Sequence, residues 1–196
     1  MKKNKVVIGV GGNIGSGKTT VAKIFQSYGM KYISADRIGK SILPEIADQL
    51  RSYFGKDIFS GKKIDRRKLR SIVFSDPKYL KILNNLSHPR LIEKINKEID
   101  GIDKGMVVVD AALLFDWPAL LKKVDFPILV KAAIEIKQKR AQKRGIPKKI
   151  FFSILKSQKK ESEMTKAAKY VIENNGTLWQ LKRQCQKIVK ELKNDC

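Results

Sequence analysis

The residues best suited to chemistry lie near the amino end. Gly12-Asn13-Ile14-Gly15-Ser16-Gly17-Lys18-Thr19 fit the pattern G-x-x-x-x-G-K-[ST], directly after the apolar run Val6-Val7-Ile8-Gly9-Val10. Glycines at that spacing let successive main-chain N–H groups turn inward, which Cβ atoms would obstruct. With the N-terminus of the helix that follows, those amides, through Thr20, form a positive cradle for phosphate. Lys18 would reach the β- and γ-phosphates and the Thr19 hydroxyl would ligate Mg²⁺.

Two acids and two arginines add to this. Asp36 falls at the end of a short strand, where ligands of open α/β sheets bind. There it can take a proton from an attacking hydroxyl or orient it, the bland alternative being a helix cap. Asp110 ends the buried-type run Met106-Val107-Val108-Val109, as an acid that holds Mg²⁺ does, or as a plain capping acid. Between Lys137 and Lys169 stand twelve Lys/Arg against two Glu. Arg140 and Arg144, four apart, share one helix face. A mobile basic hairpin there would cover a triphosphate and supply arginines to the transferring phosphoryl group.

The elements that must position these groups follow from the pattern. Strands are expected at 6–10, 31–34, 106–110, 126–130 and 171–172, alternating with helices. This implies an α/β fold with a mostly parallel sheet covered on both sides. The first helix spans 17–28, stopped by Gly29 as a left-handed cap. Residues 37–100 carry little strand signal and read as a helical insertion. Asp65 caps one helix, and Asp76-Pro77 opens another, which His88-Pro89 should interrupt before Leu91, Ile92, Ile95 and Ile99 resume. In the basic hairpin, Phe151 and Phe152 read as core anchors. The closing helix carries Leu178, Leu181, Cys185, Ile188, Val189 and Leu192 on one face.

Composition sets the remaining bounds. At 196 residues with 42% hydrophobic content, one compact domain is expected, without a membrane-spanning run. The basic start Met1-Lys2-Lys3-Asn4-Lys5 leads into a short strand rather than a secretory core, so the expected compartment is the cytosol. Cys185 and Cys196 are too few and too far apart for a metal cluster and read as free thiols. The net charge of +23 is mostly lysine and is spread along the chain. That favours a surface suited to polyanionic small molecules over a base-reading patch, so nucleic acid is an unlikely partner.

A phosphate loop alone does not choose among kinases, GTPases and motor ATPases. Asp36-Arg37-Ile38-Gly39 matches a GTPase D-x-x-G only by chance, since no N-K-x-D follows. A small-molecule kinase explains more. The alternatives are a kinase for another nucleoside or nucleotide, and a basic NTPase that binds nucleic acid.

At this point the chain resembles the dephospho-coenzyme A kinases over nearly its whole length. Gly11 to Thr19 is similar to the family's G-G-x-G-S-G-K-[ST] loop, with Asn13 unusual, and Ile33-Ser34-Ala35-Asp36 to its I-D-A-D segment. Further matches are Tyr53-Phe54-Gly55, Asp65-Arg66 with Leu69, Val73-Phe74, His88-Pro89, Leu113-Leu114-Phe115-Asp116, Arg140 and Arg144 followed by Gln158, and Val171 to Gly176.

The resemblance implies transfer of the ATP γ-phosphate to the ribose 3′-hydroxyl of dephospho-CoA, with Mg²⁺. It implies a three-layer P-loop kinase domain with a five-stranded sheet. The core would cover about 1–36, 101–136 and 170–196, the substrate-binding insertion about 37–100, and the lid about 137–169. Gly12, Asn13, Ile14, Gly15, Ser16, Gly17, Lys18, Thr19, Thr20, Arg140, Arg144 and Asn174 would bind ATP, with Asn174 near adenine. Asp36 would address the 3′-hydroxyl, and Arg66 and His88 would serve the dephospho-CoA side. Lys18 and Arg140 would stabilise the phosphoryl group, and Thr19 and Asp110 would hold the metal. A monomer or small homo-oligomer is expected. Departures fall at Ser34, Ala112, Asp116, Lys137 and Lys169, where the family commonly has Asp, Pro, Glu, Gln and an acid.

Overall fold

In a computed structural model, which describes residues 4–61 and 63–195, the alternating pattern folds into three layers. The basic start at Met1-Lys2-Lys3 and the terminal Cys196 lie outside the described residues. Five strands form one parallel sheet in the order β2-β5-β1-β6-β7. They are β1 (Lys5–Gly11), β2 (Lys31–Ser34), β5 (Gly105–Asp110), β6 (Phe126–Lys131) and β7 (Tyr170–Glu173). Two-residue strands β3 (Phe59–Ser60) and β4 (Lys63–Ile64) pair antiparallel outside it. Runs of two are too short to leave a periodic signal, so this hairpin goes unannounced by spacing.

The helices are α1 (Lys18–Ser27), α2 (Ala35–Ile42), α3 (Ala47–Phe54), α4 (Arg66–Val73), α5 (Pro77–Asp100), α6 (Pro118–Leu121), α7 (Ile134–Lys143), α8 (Lys148–Ser157), α9 (Glu161–Ala167) and α10 (Leu178–Asp195). Alternation along β5 explains the layering. Val107 and Val109 pack on one side with Ile38, Ile42, Leu50, Ile95 and Ile99 of the insertion. Val108 packs on the other with Phe25 of α1 and Leu181, Cys185 and Val189 of α10. Burial pushes the Cys185 thiol up to about 12, so it packs and does not react.

Register brings the chemistry to one edge. Val10 and Ser34 both stand opposite Asp110, so the phosphate loop, Asp110 and Asp36 leave the sheet at the same carboxyl end.

Three expectations need correction. α5 runs unbroken through Pro89, although the proline costs the Asn85 carbonyl its N–H partner. Leu91, Ile95 and Ile99 are buried on one side, with Ile82, Leu83 and Leu86 packed on the same cluster, and this packing holds the helix together. The basic segment contains three helices, α7 to α9, rather than a hairpin. Phe151 is fully buried, but Phe152 is 40% exposed, so only the first is an anchor.

Candidate active site

The Gly12–Thr19 loop sits between β1 and α1, as its sequence requires. Gly17 caps α1 at φ 97° and its carbonyl accepts from the N–H groups of Thr20 (2.9 Å) and Val21 (3.1 Å). Gly15 lies at φ +77°, and a Cβ there would run into the main chain of Lys137. Helix α7 therefore rests directly on the loop. Ser16 is fully buried, and its hydroxyl lacks a hydrogen-bond partner among the described residues, as suits a group waiting for a phosphate oxygen.

Lys18 is partly buried at the start of α1. Lost hydration lowers its pKa, with Asp110 pulling it back up, Arg144 pushing it down and Asp36 raising it again. All three candidate side chains thus act on the same ammonium. Asp110 is 5% exposed, and its Oδ2 accepts from the Tyr32 hydroxyl at 3.1 Å. Burial raises the Tyr32 pKa; a Ser34 bond opposes this and the Asp110 charge adds to it, so the phenol stays a donor. Tyr32 had not stood out in the sequence. Its signal was available, two residues before Ser34 and so on the same strand face.

Arg140 has a different posture from the one expected. Its Nη1 donates to the carbonyls of Gly15 (3.3 Å) and Ser16 (3.2 Å). Its Nη2 donates to the carbonyl and Oδ1 of Asn174 (3.1 and 3.3 Å). Asn174 Nδ2 in turn donates to the Ser16 carbonyl at 2.7 Å. The guanidinium fork is spent on the loop's outer carbonyls, and Arg144 is the arginine whose charge bears on Lys18. Two more ties fix the lid. Lys137, 7% exposed, pairs with Glu161 at 2.7 Å, and the Ile14 N–H donates to Gln158 Oε1 at 2.9 Å. The buried Asn13 carboxamide, unusual in this loop, donates to Gln158 and to the Lys159 carbonyl.

The region of Asp36, Arg66 and His88 is more open. Asp36 is in the first turn of α2, its side chain 79% exposed and paired with Lys40 at 2.6 Å. It is not the helix cap: Ser34 is, accepting from the Arg37 N–H at 3.2 Å. Arg66 is exposed in the first turn of α4, without a hydrogen bond or ion pair among the described residues. His88 Nδ1 accepts from the Trp117 indole N–H at 3.2 Å, and burial lowers its pKa.

This arrangement has counterparts. A family model described as dephospho-CoA kinase matches residues 6–180. The chain belongs to the dephospho-CoA kinase family. A dephospho-CoA kinase from Aquifex aeolicus is 35% identical over 195 residues, covering 96% of this chain and 98% of the relative. A solved Thermus thermophilus protein, TT1252, superposes with a TM-score of 0.78 at 31% identity, covering 97% of this chain and 99% of that one. The dephospho-CoA kinase from Campylobacter jejuni gives 0.69 at 31% identity, over 96% and 97%. No helix among the described residues is long and apolar enough to cross a membrane.

Proposed function

We propose that this chain transfers the γ-phosphate of ATP to the ribose 3′-hydroxyl of dephospho-CoA, giving CoA and ADP. The observation that carries this reading is the convergence of the glycine-loop amides, Lys18, Asp110 and Asp36 at one sheet edge, in a chain of the dephospho-CoA kinase family. The amides from Gly12 to Thr20 bind the phosphates, Lys18 neutralises the transferring group, and Arg144 adds positive charge from the lid. Arg140 and Asn174 hold the loop in shape. Asp36 orients the acceptor hydroxyl and takes its proton, and its open surroundings leave room for that substrate. The insertion receives dephospho-CoA through Arg66 and His88.

The donors at the cradle fit Mg²⁺. The Thr19 hydroxyl and the Asp110 carboxylate are hard oxygen ligands, and one or two protein oxygens beside substrate phosphates are what this ion takes. The described residues contain no cluster of three or more His, Cys, Asp or Glu that would suit a softer or caged metal. When bound, the ion neutralises phosphate charge; Thr19 and Asp110 would hold it. The reading also places the protein in the cytosol, without a nucleic-acid partner, as a monomer or small homo-oligomer.

The test is to mix the protein with ATP, Mg²⁺ and dephospho-CoA and to locate the new phosphate on the product by ³¹P NMR. CoA is the expected product. Turnover of other nucleosides but not of dephospho-CoA would overturn the reading. ATP hydrolysis stimulated only by nucleic acid would overturn it as well.

A further inference from the structure

The short segment after β5 is where three parts of the molecule meet. Leu114 and Phe115 lie over the phosphate-loop strand: a Cβ on Gly11 would stand 2.7 Å from the Phe115 ring. The Phe115 carbonyl accepts from Lys159 Nζ of the lid at 3.2 Å. Trp117, 6% exposed, reaches the other way into the insertion. Its indole N–H donates to His88 Nδ1 at 3.2 Å, with the two rings edge to face at a centroid distance of 5.0 Å.

That bond fixes the imidazole. Indole N–H can only donate, so Nδ1 must be the bare nitrogen and the proton must sit on Nε2. Burial depresses the His88 pKa, and it is the sole cause of that shift, which keeps the ring neutral near pH 7. Nε2–H has no acceptor among the described residues, and the side chain is only half-buried. A neutral donor is thereby left open on α5, in the insertion.

We propose that Trp117 is a positioning residue for the acceptor substrate: it locks His88 in the Nε2–H form, and that N–H donates to an oxygen of dephospho-CoA. This inference rests on the acceptor-side reading given above. Trp117 touches no reacting atom and acts only through His88.

His88 is the only histidine of the chain, so ¹⁵N-histidine NMR of the whole protein reports one ring without assignment. The wild type should show a single Nε2–H tautomer. In Trp117→Phe the aromatic ring stays, the donor goes, and the spectrum should move to a mixture of tautomers. KM for dephospho-CoA should rise about three- to tenfold, the size of one neutral hydrogen bond, while KM for ATP holds.

Two further variants separate the ring's two nitrogens. His88→Asn keeps an acceptor near the Nδ1 position but loses the distal donor, and should raise KM for dephospho-CoA. His88→Gln places an amide donor near the Nε2 position and should recover part of the loss. An unchanged tautomer in Trp117→Phe overturns the proposal. A changed tautomer with an unchanged KM for dephospho-CoA also overturns it. If the wild type does not turn over dephospho-CoA, the acceptor reading itself has failed, a result separate from either of these.

Discussion

The two halves of the site are built on opposite terms. On the nucleotide side the groups that shape the loop are held to one another: Arg140 makes four bonds, Asn174 ties β7 to the loop, and Lys137 pairs with Glu161, while the Ser16 hydroxyl is left for phosphate. On the acceptor side Asp36 is 79% exposed and paired with Lys40, Arg66 is free among the described residues, and His88 keeps an open Nε2–H. Phosphate cradles need fixed dipoles aimed in advance, because reorganising them during transfer raises the barrier. A bulky second substrate needs room to enter, so its groups stay apart until it arrives. On the function proposed above, the difference teaches that the fold prebuilds the donor site and leaves the acceptor site for the substrate to complete.

The largest break should come from the prebuilt half. Lys18→Ala removes the cation facing the phosphates and is expected to lower kcat about 10³-fold, with far-UV circular dichroism unchanged. Asp36→Asn, in the open half, should lower kcat about 10²-fold with little change in melting temperature, since the carboxylate is mostly in solvent. A wild-type rate in Asp36→Asn would remove it as the base. Arg140→Ala is expected to cost about tenfold in KM for ATP and to lower the melting temperature. Arg140→Lys should not rescue it, because a point charge cannot replace the fork that bridges Gly15, Ser16 and Asn174. If Arg144→Ala impairs kcat more than Arg140→Ala does, the division of labour between the two arginines is sharpened.

Smaller effects test the lid and the insertion. Lys137→Met strands Glu161, which is about a quarter exposed, and should cost about 1–3 kcal/mol in urea denaturation. Adding Glu161→Leu should restore most of it. The smallest effect concerns pH. The folded His88 has a lowered pKa, so the unfolded chain binds its proton first as pH falls. Its contribution is complete above the unfolded value near 6.5 and is lost as pH drops through the folded one. Urea midpoints between pH 7.5 and 5.5 should therefore fall more steeply in the wild type than in His88→Asn.

Much of this was legible in the residues. The Gly12–Thr19 loop carries its own geometry, Asp110 ends an apolar run and Asp36 follows a short strand, so their edge of the sheet was fixed by strand direction alone. α5 was misread because Pro89 is a local signal, while the packing of Leu91, Ile95 and Ile99 that overrides it is tertiary. The posture of Arg140 was hidden for a similar reason. Its partners lie 34 to 125 positions away, and no spacing rule announces them. Trp117 left no trace at all, being one aromatic among apolar neighbours until α5 brings His88 beside it.

Hydrogen exchange of the whole protein tests the contrast between the two halves most directly. Amides of residues 134–144 should already be protected without ligand and change little with ATP and Mg²⁺, whereas the loop amides of residues 15–19, which take up the phosphates, should slow when ATP binds. Dephospho-CoA should then slow exchange across residues 35–42 and 77–92. A free protein whose residues 134–144 exchange rapidly, while residues 35–42 and 77–92 are protected from the start, would contradict the contrast.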